Sequence, residues 1–449
     1  MSAKTSVSLT TTDIALLFGS TAAFAAYASA FGERLKAVAA EQNMTLTYDS
    51  ATSQGDDVVL TGLTATSQGE EPAKLGDVTF EGVTGSTAEG WKVARVPIDD
   101  VDVTEDETHT TVTGISIEGL ELLPADRSSL PPAKQMSALY FDKAGVETLS
   151  VEAKGTKVFD LSGMSIENTI NDDDTFSSAF DFGSFNADFS TADPETVKTM
   201  GDLGYTKMSG GIEGSGSWDP KTGTLTLDPF EIDVENAGNL SFTYEMSGYT
   251  PAFIQSMQQI SQQMAQNPDS NQNGGMAMMG LMSQLSIGSA DITFTDDSLT
   301  GKLLDYYAKQ QGTTPDQLAQ QLQAMLPVML AQLNNPEFQK KVSDAVATFL
   351  KDPQSLSISI DPESPVPAMQ IMGAAMGAPQ TLPQVLSLEV TASVSNTRST
   401  SSRERRKLSS SSILAGVHCV ACSSTRRVSL CGIARCSTRD SERRRTSTE

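Results

Sequence analysis

The chain has 449 residues and a formal net charge of -25 at pH 7, with 19 basic and 52 acidic side chains in residues 1–396 against 12 basic and 4 acidic ones in residues 397–449. A body that acidic repels phosphate backbones, which excludes nucleic acid as a partner. Residues 1–417 contain one histidine, His109, and no cysteine. They lack the usual nucleophiles, bases and metal ligands, so we expect a non-catalytic protein without a cofactor.

The N-terminus has the pattern of a secretory signal over residues 1–30. Lys4 precedes an apolar run over 14–24, and two Ala-x-Ala motifs end at Ala25 and Ala30. The pattern predicts a periplasmic or secreted protein, with an amphipathic helix or a short anchor as the alternative. No later stretch approaches the roughly 20 apolar residues of a membrane helix, so no stable transmembrane span is expected after signal removal.

Residues 31–249 are predicted to form a β-rich domain. A short helix opens it, because Phe31, Leu35 and Val38 recur at helical spacing. From about Met44 onward, apolar residues alternate with serine, threonine or acidic residues. This alternation is typical of half-buried antiparallel strands.

A short string, apolar-x-Gly-apolar, recurs in this domain at irregular intervals. Its glycines are Gly62, Gly82, Gly114, Gly119, Gly163 and, less cleanly, Gly248. Glycine inside a strand usually marks a bulge or a bend. The string therefore predicts one long, curved antiparallel sheet of many short strands. A hairpin is also predicted, in which Asp219 accepts hydrogen bonds from the turn and Gly223 takes a left-handed conformation.

Residues 250–350 are predicted to form an α-helical domain. Asp297 or Ser298 is expected to cap one of its helices, and a capping box begins the next helix at Thr314. Residues 351–396 return to alternation and are predicted as closing strands around a methionine-rich segment. The predicted fold class is therefore α+β, with an extended curved antiparallel sheet, a C-terminal helical domain and closing strands.

Residues 397–449 follow neither a helical nor a strand period. Their composition predicts a disordered basic arm or a frameshifted end, and the reversed charge favours a frameshift. The weak metal candidates of this tail are His418, Cys419, Cys422, Cys431 and Cys436. The first cysteine pair has zinc-knuckle spacing, but the second pair is spaced differently and lacks apolar neighbours, so we expect no functional metal site.

The body offers little chemistry for catalysis. The acid runs at 99–102 and 172–174 are candidates for loose calcium binding, although they lack the spacing of a calcium loop. A hydrolase would need two close carboxylates in an aromatic cleft. We interpret His109 as an exposed strand or loop residue. The glycine-rich run at 210–216 leads into a strand rather than a helix, which argues against phosphate binding.

Methionine is concentrated in the second half of the chain, where 12 of the 18 methionines lie between Met246 and Met376. The candidates for an apolar ligand-binding groove are Met276, Met279, Met282, Met369, Met372 and Met376. Flexible, polarisable thioether side chains suit such an adaptable surface. The alternatives are an ordinary core and Cu(I) binding by thioethers.

Five segments carry a resemblance to known proteins, and they are Leu299–Asp305, Ala308–Gly312, Asn335–Phe338, Phe349–Pro353 and Ala378–Leu382. Over about residues 14–395 the chain resembles uncharacterised exported proteins of alphaproteobacteria, a family that implies no activity and no site residues. The repeated strands resemble, at the level of fold, AsmA-like envelope proteins. That resemblance implies a curved sheet that holds lipid.

The first hypothesis is therefore a non-catalytic envelope protein. It binds an apolar ligand such as lipid, or a protein partner, in a cleft between the sheet and the helices. One alternative is a structural or assembly protein of the envelope without a small ligand. The other is a carboxylate-dependent hydrolase.

Overall fold

The computed structural model describes residues 11–67, 71–266 and 271–394, which belong to one compact unit. The predicted tail, with His418 and the four cysteines, lies outside the described residues. So do the first ten residues of the predicted signal. In the part of the chain that is described, no helix is long and apolar enough to cross a membrane.

Helices and strands alternate unevenly along the chain. The helices are α1 (Thr11–Glu41), α2 (Pro132–Gln135), α3 (Pro194–Leu203), α4 (Pro251–Gln266), α5 (Asn271–Met282), α6 (Leu299–Gln311), α7 (Pro315–Met329), α8 (Pro336–Lys351), α9 (Ala368–Gly377) and α10 (Leu382–Val385). Short 3-10 helices follow at Leu330–Leu333 and Pro379–Thr381.

The strands of the first half are β1 (Met44–Thr47), β2 (Ser50–Gln54), β3 (Asp57–Ser67), β4 (Ala73–Phe80), β5 (Thr84–Ser86), β6 (Gly90–Ile98), β7 (Val101–Glu105), β8 (Thr108–Thr113), β9 (Ile115–Leu122) and β10 (Leu139–Tyr140). Those of the second half are β11 (Lys143–Ala153), β12 (Thr156–Ile170), β13 (Phe176–Asp188), β14 (Lys207–Asp219), β15 (Thr224–Val234), β16 (Gly238–Ser247), β17 (Ser286–Asp296), β18 (Ser355–Ile360), β19 (Val366–Pro367) and β20 (Leu388–Ser393).

The N-terminal core lies between α1, a small sheet and the first strands of a longer sheet. In the small sheet, β3 pairs with β1 and β2 on one side and with β4 on the other. Phe31 of α1 is fully buried and packs edge-on against Phe80 and Trp91, with ring centroids 5.0 and 5.7 Å apart. These aromatic contacts fix α1 against both sheets.

The long sheet confirms the predicted extended antiparallel architecture. Its main path runs in the order β20, β18, β17, β16, β15, β14, β13, β12, β11, β9, β6 and β5, and every strand pair along it is antiparallel. Several strands are longer than predicted, and β12 reaches 15 residues. The strands that return after the helices pair with this same sheet, as predicted.

The recurring glycines interrupt the strands, as predicted. All six glycines of the apolar-x-Gly-apolar string have a positive φ, a conformation that costs other residues free energy. At Gly62, Gly82 and Gly114 the backbone N–H donates to an aspartate carboxylate at 2.9 Å, and the acceptors are Asp77, Asp57 and Asp100 respectively. The aspartates therefore satisfy amides that leave the strand ladder.

The predicted helices are present, with differences at their ends. The capping box of α7 at Thr314 is confirmed. Ser298 is the N-cap residue of α6, as predicted, but its side chain makes no capping bond. The capping side chain is that of Asp296, which accepts from the N–H groups of Ser298 and Thr300 at 2.9 and 2.7 Å. Helix α3 was not predicted. Strand β17 lies between α5 and α6 in the chain and joins the long sheet, so the helices from 250 to 350 are separated by a sheet strand.

Candidate functional site

One face of the long sheet carries a continuous row of apolar residues across eight strands, and we call it the central row. Directly paired residues of neighbouring antiparallel strands point to the same face. The central row consists of Ile166, Phe180, Gly214, Phe230, Phe242, Ile292, Ile358 and Val390, each paired with the next. The face on which it lies is the apolar face.

The apolar face is largely uncovered. Within the eight strands β11 to β18, all of whose residues are described, Gly214 is the only buried residue. Leu240, Ile292 and Ile358 are 37, 45 and 44 % exposed and lie on neighbouring strands. Helix α8 reaches this face near Phe294, whose ring centroid is 6.2 Å from that of Phe349. Among the residues that the structure describes, the middle of the sheet is thus a single layer, and contiguous apolar exposure of this kind usually marks a binding surface.

Glycines on β14 make room for aromatic rings on this face. Phe180 and Phe230 are both register partners of Gly214, and their ring centroids lie 6.0 Å apart. A Cβ atom at Gly214 would collide with the Phe180 ring, and one at Gly210 would lie 3.0 Å from the Phe185 ring. The glycine-rich run of the sequence therefore lets aromatic rings lie over the strand.

The opposite face is polar and acidic. A row displaced by one residue from the central row consists of Asp181, Glu213, Glu231, Ser241, Thr293, Ser357 and Thr391. The three acids of that row border a shallow hollow of 750 Å³ together with Asp233 and Glu235. These carboxylates and the aromatic rings of the central row lie on opposite faces of the sheet, whereas a glycosidase-type cleft brings both together.

A second apolar row, which we call the end row, lies on the apolar face near the ends of its strands. It consists of Ile170, Phe176, Trp218, Leu225, Met246, Ile287 and Val366. Met246 packs against a cluster of α4 and α5 that contains Phe253, Leu281 and Leu285. At the other end, Ile170, Phe176 and Trp218 form one wall of a pocket of 240 Å³.

The six methionines proposed for the ligand groove lie mainly on exposed helix surfaces. Met276, Met279, Met369, Met372 and Met376 are 67, 47, 38, 37 and 82 % exposed. Met282 is half-buried and packs in the α4 and α5 cluster. Helix α9 begins beside that cluster, because the N–H of Ala368 donates to the carbonyl oxygen of Leu285 at 2.9 Å. Met282 of the first methionine group and Ala368, the first residue of α9, therefore both lie in the cluster that contacts Met246.

The other chemical candidates hold turns and strands in place. His109 Nε2 lies 2.8 Å from Asp102 Oδ1 on the β7–β8 hairpin, with 39 % of its side chain exposed. Asp219 accepts from the Lys221 N–H and the Thr222 hydroxyl at 2.9 and 2.7 Å, as predicted, and these bonds lower its pKa. In the described part of the chain, no group of three histidine, cysteine or acidic side chains is arranged to hold a metal ion.

The comparisons with known proteins add a family match without a function. A family model described as an uncharacterized protein matches residues 231–393, and no curated protein matches the chain. The matched segment begins in β15 and ends with β20. It contains the part of the central row with the most exposed residues, together with both groups of methionines.

Sequence reasoning placed the apolar site in a cleft between the sheet and the methionine-rich helices, and it did not identify the aromatic rings of the apolar face. The period-two alternation of β12–β18 marks which residues share a face of each strand. It does not show that Phe180, Phe230 and Phe242 become neighbours. Which residues become neighbours depends on the pairing register of the strands, and turn lengths and bulges determine that register.

Proposed function

We propose that this protein is a non-catalytic protein of the bacterial envelope that binds an apolar ligand of the lipid class along the apolar face of its long sheet. The observation that carries the proposal is the central row, an unbroken line of apolar positions in which Ile292 and Ile358 are 45 and 44 % exposed. Each methylene buried against such a surface stabilises a complex by about 0.8 kcal/mol. The N-terminal signal pattern supports an exported location.

The length of the row fits a chain-like ligand. From Ile166 to Val390 the row crosses seven inter-strand spacings, which at about 4.8 Å each amount to roughly 34 Å. The hydrocarbon core of a bilayer is about 30 Å thick, so the row accommodates roughly two acyl chains end to end. The aromatic rings of Phe180, Phe230 and Phe242 supply broad apolar contact at a small entropic cost.

The test is a charge placed in the central row. Ile292→Glu is expected to reduce the affinity for Nile red, an uncharged probe that fluoresces in apolar surroundings, by at least about tenfold, because a carboxylate is costly to bury against an apolar ligand. Ile292 is already 45 % exposed, so the variant retains its fold, which circular dichroism verifies.

The matched control is Thr295→Glu. Thr295 is exposed on the same strand and lies on the polar face, three residues from Ile292. Its probe affinity is expected to equal that of the wild type. Equal affinity of all three proteins, or no Nile red binding by the wild type, contradicts the proposal. The latter result, with envelope proteins captured instead, favours the assembly function.

The assembly function has one observation of its own. Helix α7 exposes Met325, Val328 and Met329 by 57, 75 and 69 %. Exposed apolar residues on one helix are typical of a surface that contacts another protein. This second candidate requires no ligand on the sheet, and the Nile red titration separates the two.

A further inference from the structure

The pocket at the Ile170 end of the end row is bounded on two sides by apolar side chains. Its sheet wall is Ile170, Phe176 and Trp218, and its opposite wall includes Leu123, Leu139 and Phe141. Its volume of 240 Å³ is below the roughly 300 to 1,000 Å³ of sites that enclose a whole small-molecule ligand. The pocket therefore has room for the end of a ligand rather than for all of it.

Every polar side chain that lines the pocket is already bonded within the protein. The five are Lys134, Ser137, Tyr140, Asn168 and Trp218. Tyr140 donates to the Asn168 carbonyl oxygen at 3.1 Å, and the Asn168 amide donates to the Phe141 carbonyl oxygen at 3.1 Å. Burial, together with nearby Asp142, raises the pKa of Tyr140 to about 12, so the phenol keeps its proton and remains a donor.

The remaining three side chains also have partners within the protein, either an ion pair or a hydrogen bond. Lys134 pairs with Glu121. The Ser137 hydroxyl donates to the Leu139 carbonyl oxygen at 2.7 Å, and the Trp218 indole donates to the Tyr249 carbonyl oxygen at 2.8 Å. These internal bonds occupy donors that a polar ligand group would otherwise use to replace its lost water, and unreplaced bonds are costly. The chemistry of the pocket therefore favours an apolar occupant.

The pocket is continuous with the apolar face. Ile170, Phe176 and Trp218 are members of the end row, and each lies four residues along its strand from Ile166, Phe180 and Gly214 of the central row. Residues four apart on an undistorted strand point to the same face. Between the two rows, the same face carries Asn168 and Ser178 and then, on the next two strands, Gly216 and Leu227. A chain that lies on the apolar face thus reaches the pocket over Gly216 and Leu227.

We propose that this pocket receives the terminal methyl end of an unbranched acyl or alkyl chain and thereby limits the length of chain that the protein accepts. The proposal rests on the proposed function, because the rest of the chain lies on the apolar face. It assigns the ligand class as a linear hydrocarbon chain that enters the pocket tail first. A sterol or other fused-ring molecule does not fit this role.

The experiment changes the volume of the pocket and measures chain-length preference. The full chain is titrated with monoacylglycerols of increasing chain length that displace Nile red, since their uncharged head groups avoid repulsion by the acidic body. Ala133, a small half-buried residue of the pocket wall, is changed by Ala133→Phe to fill the pocket. Each methylene that no longer fits lowers the affinity by about fourfold, so the longest chains lose at least tenfold and the optimum moves to shorter chains.

A second variant and a control make the result decisive. Ile170→Ala enlarges the pocket and is expected to move the optimum toward longer chains. Ala179→Phe adds the same ring on the polar face, where Ala179 is exposed, and leaves the preference unchanged. An unchanged optimum in both pocket variants, with wild-type binding intact, overturns this proposal alone. Absence of monoacylglycerol binding by the wild type overturns the proposed function with it.

Discussion

Gly214 occupies the centre of the apolar face, where two phenylalanine rings approach the backbone of β14. A Cβ atom there would contact the Phe180 ring and lie 3.0 Å from the Pro229 carbonyl oxygen. We expect Gly214→Ala to lower the free energy of unfolding by roughly 1 to 3 kcal/mol, the usual cost of overpacking. Urea denaturation followed by circular dichroism measures the change.

The control at the residue scale is Gly201→Ala. Nothing lies within 4 Å of a Cβ at Gly201, which is in the last turn of α3. Alanine there is expected to stabilise the protein by roughly 0.5 to 1 kcal/mol, because glycine weakens a helix interior. If Gly214→Ala were as stable as the wild type, the result would contradict the close contact between the Phe180 ring and the backbone of β14.

Single residues were the least predictable part of the candidate site. The sequence shows that Phe180 and Phe230 alternate with polar neighbours, and this places them on one face of their strands. Their meeting across Gly214 depends on two registers, each with a bulge. The methionines were conspicuous in composition, but composition does not report that Met376 is 82 % exposed.

Helix α7 shows how much an element depends on its first turn. The Thr314 hydroxyl accepts from the Gln317 N–H at 3.2 Å, and the Gln317 side chain accepts from the Thr314 N–H at 3.2 Å. Thr314→Ala is expected to cost roughly 1 kcal/mol, because an N-terminal amide loses its partner. Chemical denaturation measures the loss, and Gln320→Ala on the exposed side of α7 is expected to change stability little. Equal effects of the two substitutions would contradict the capping role.

Elements with a strong local signal were predictable, and elements set by tertiary contacts were less so. The hairpin at Asp219 and the capping box at Thr314 are local hydrogen-bond patterns, and both are present. Helix α3 also begins with such a signal, since Asp193 accepts from the N–H groups of Glu195 and Thr196. In β17 the apolar alternation is clear only over residues 292–294, whereas the strand runs from Ser286 to Asp296, because its ends are defined by pairing with β16 and β18.

At the scale of the whole molecule, acidic residues and apolar residues occupy different parts of the fold. Carboxylates lie on the polar face, in turns and at helix starts, where they bond backbone amides freed by glycines or by helix ends. Many apolar residues outside the N-terminal core lie on the apolar face of the long sheet. This division explains why composition and alternation together predicted the α+β sheet correctly, while the position of the apolar face required the register.

The packing of the N-terminal core indicates where a signal peptide could be cleaved. Ala28 is fully buried, the Tyr27 hydroxyl donates to the Val83 carbonyl oxygen at 2.9 Å, and the Tyr27 and Trp91 ring centroids lie 4.8 Å apart. Cleavage after Ala30 would delete both Tyr27 and Ala28 from this core, whereas cleavage after Ala25 would keep them. If the proposed signal is cleaved, we therefore expect the mature chain to begin at residue 26.

Two measurements check this expectation. Intact mass of the protein from its native host reports the N-terminus directly. A chain that begins at residue 26 is expected to unfold at a higher urea concentration than one that begins at Phe31, because the shorter chain lacks the half-buried Tyr27 ring and the buried Ala28. Equal unfolding midpoints would show that Tyr27 does not stabilise the core, and an uncleaved chain in the envelope would show that α1 serves as an anchor instead of a signal.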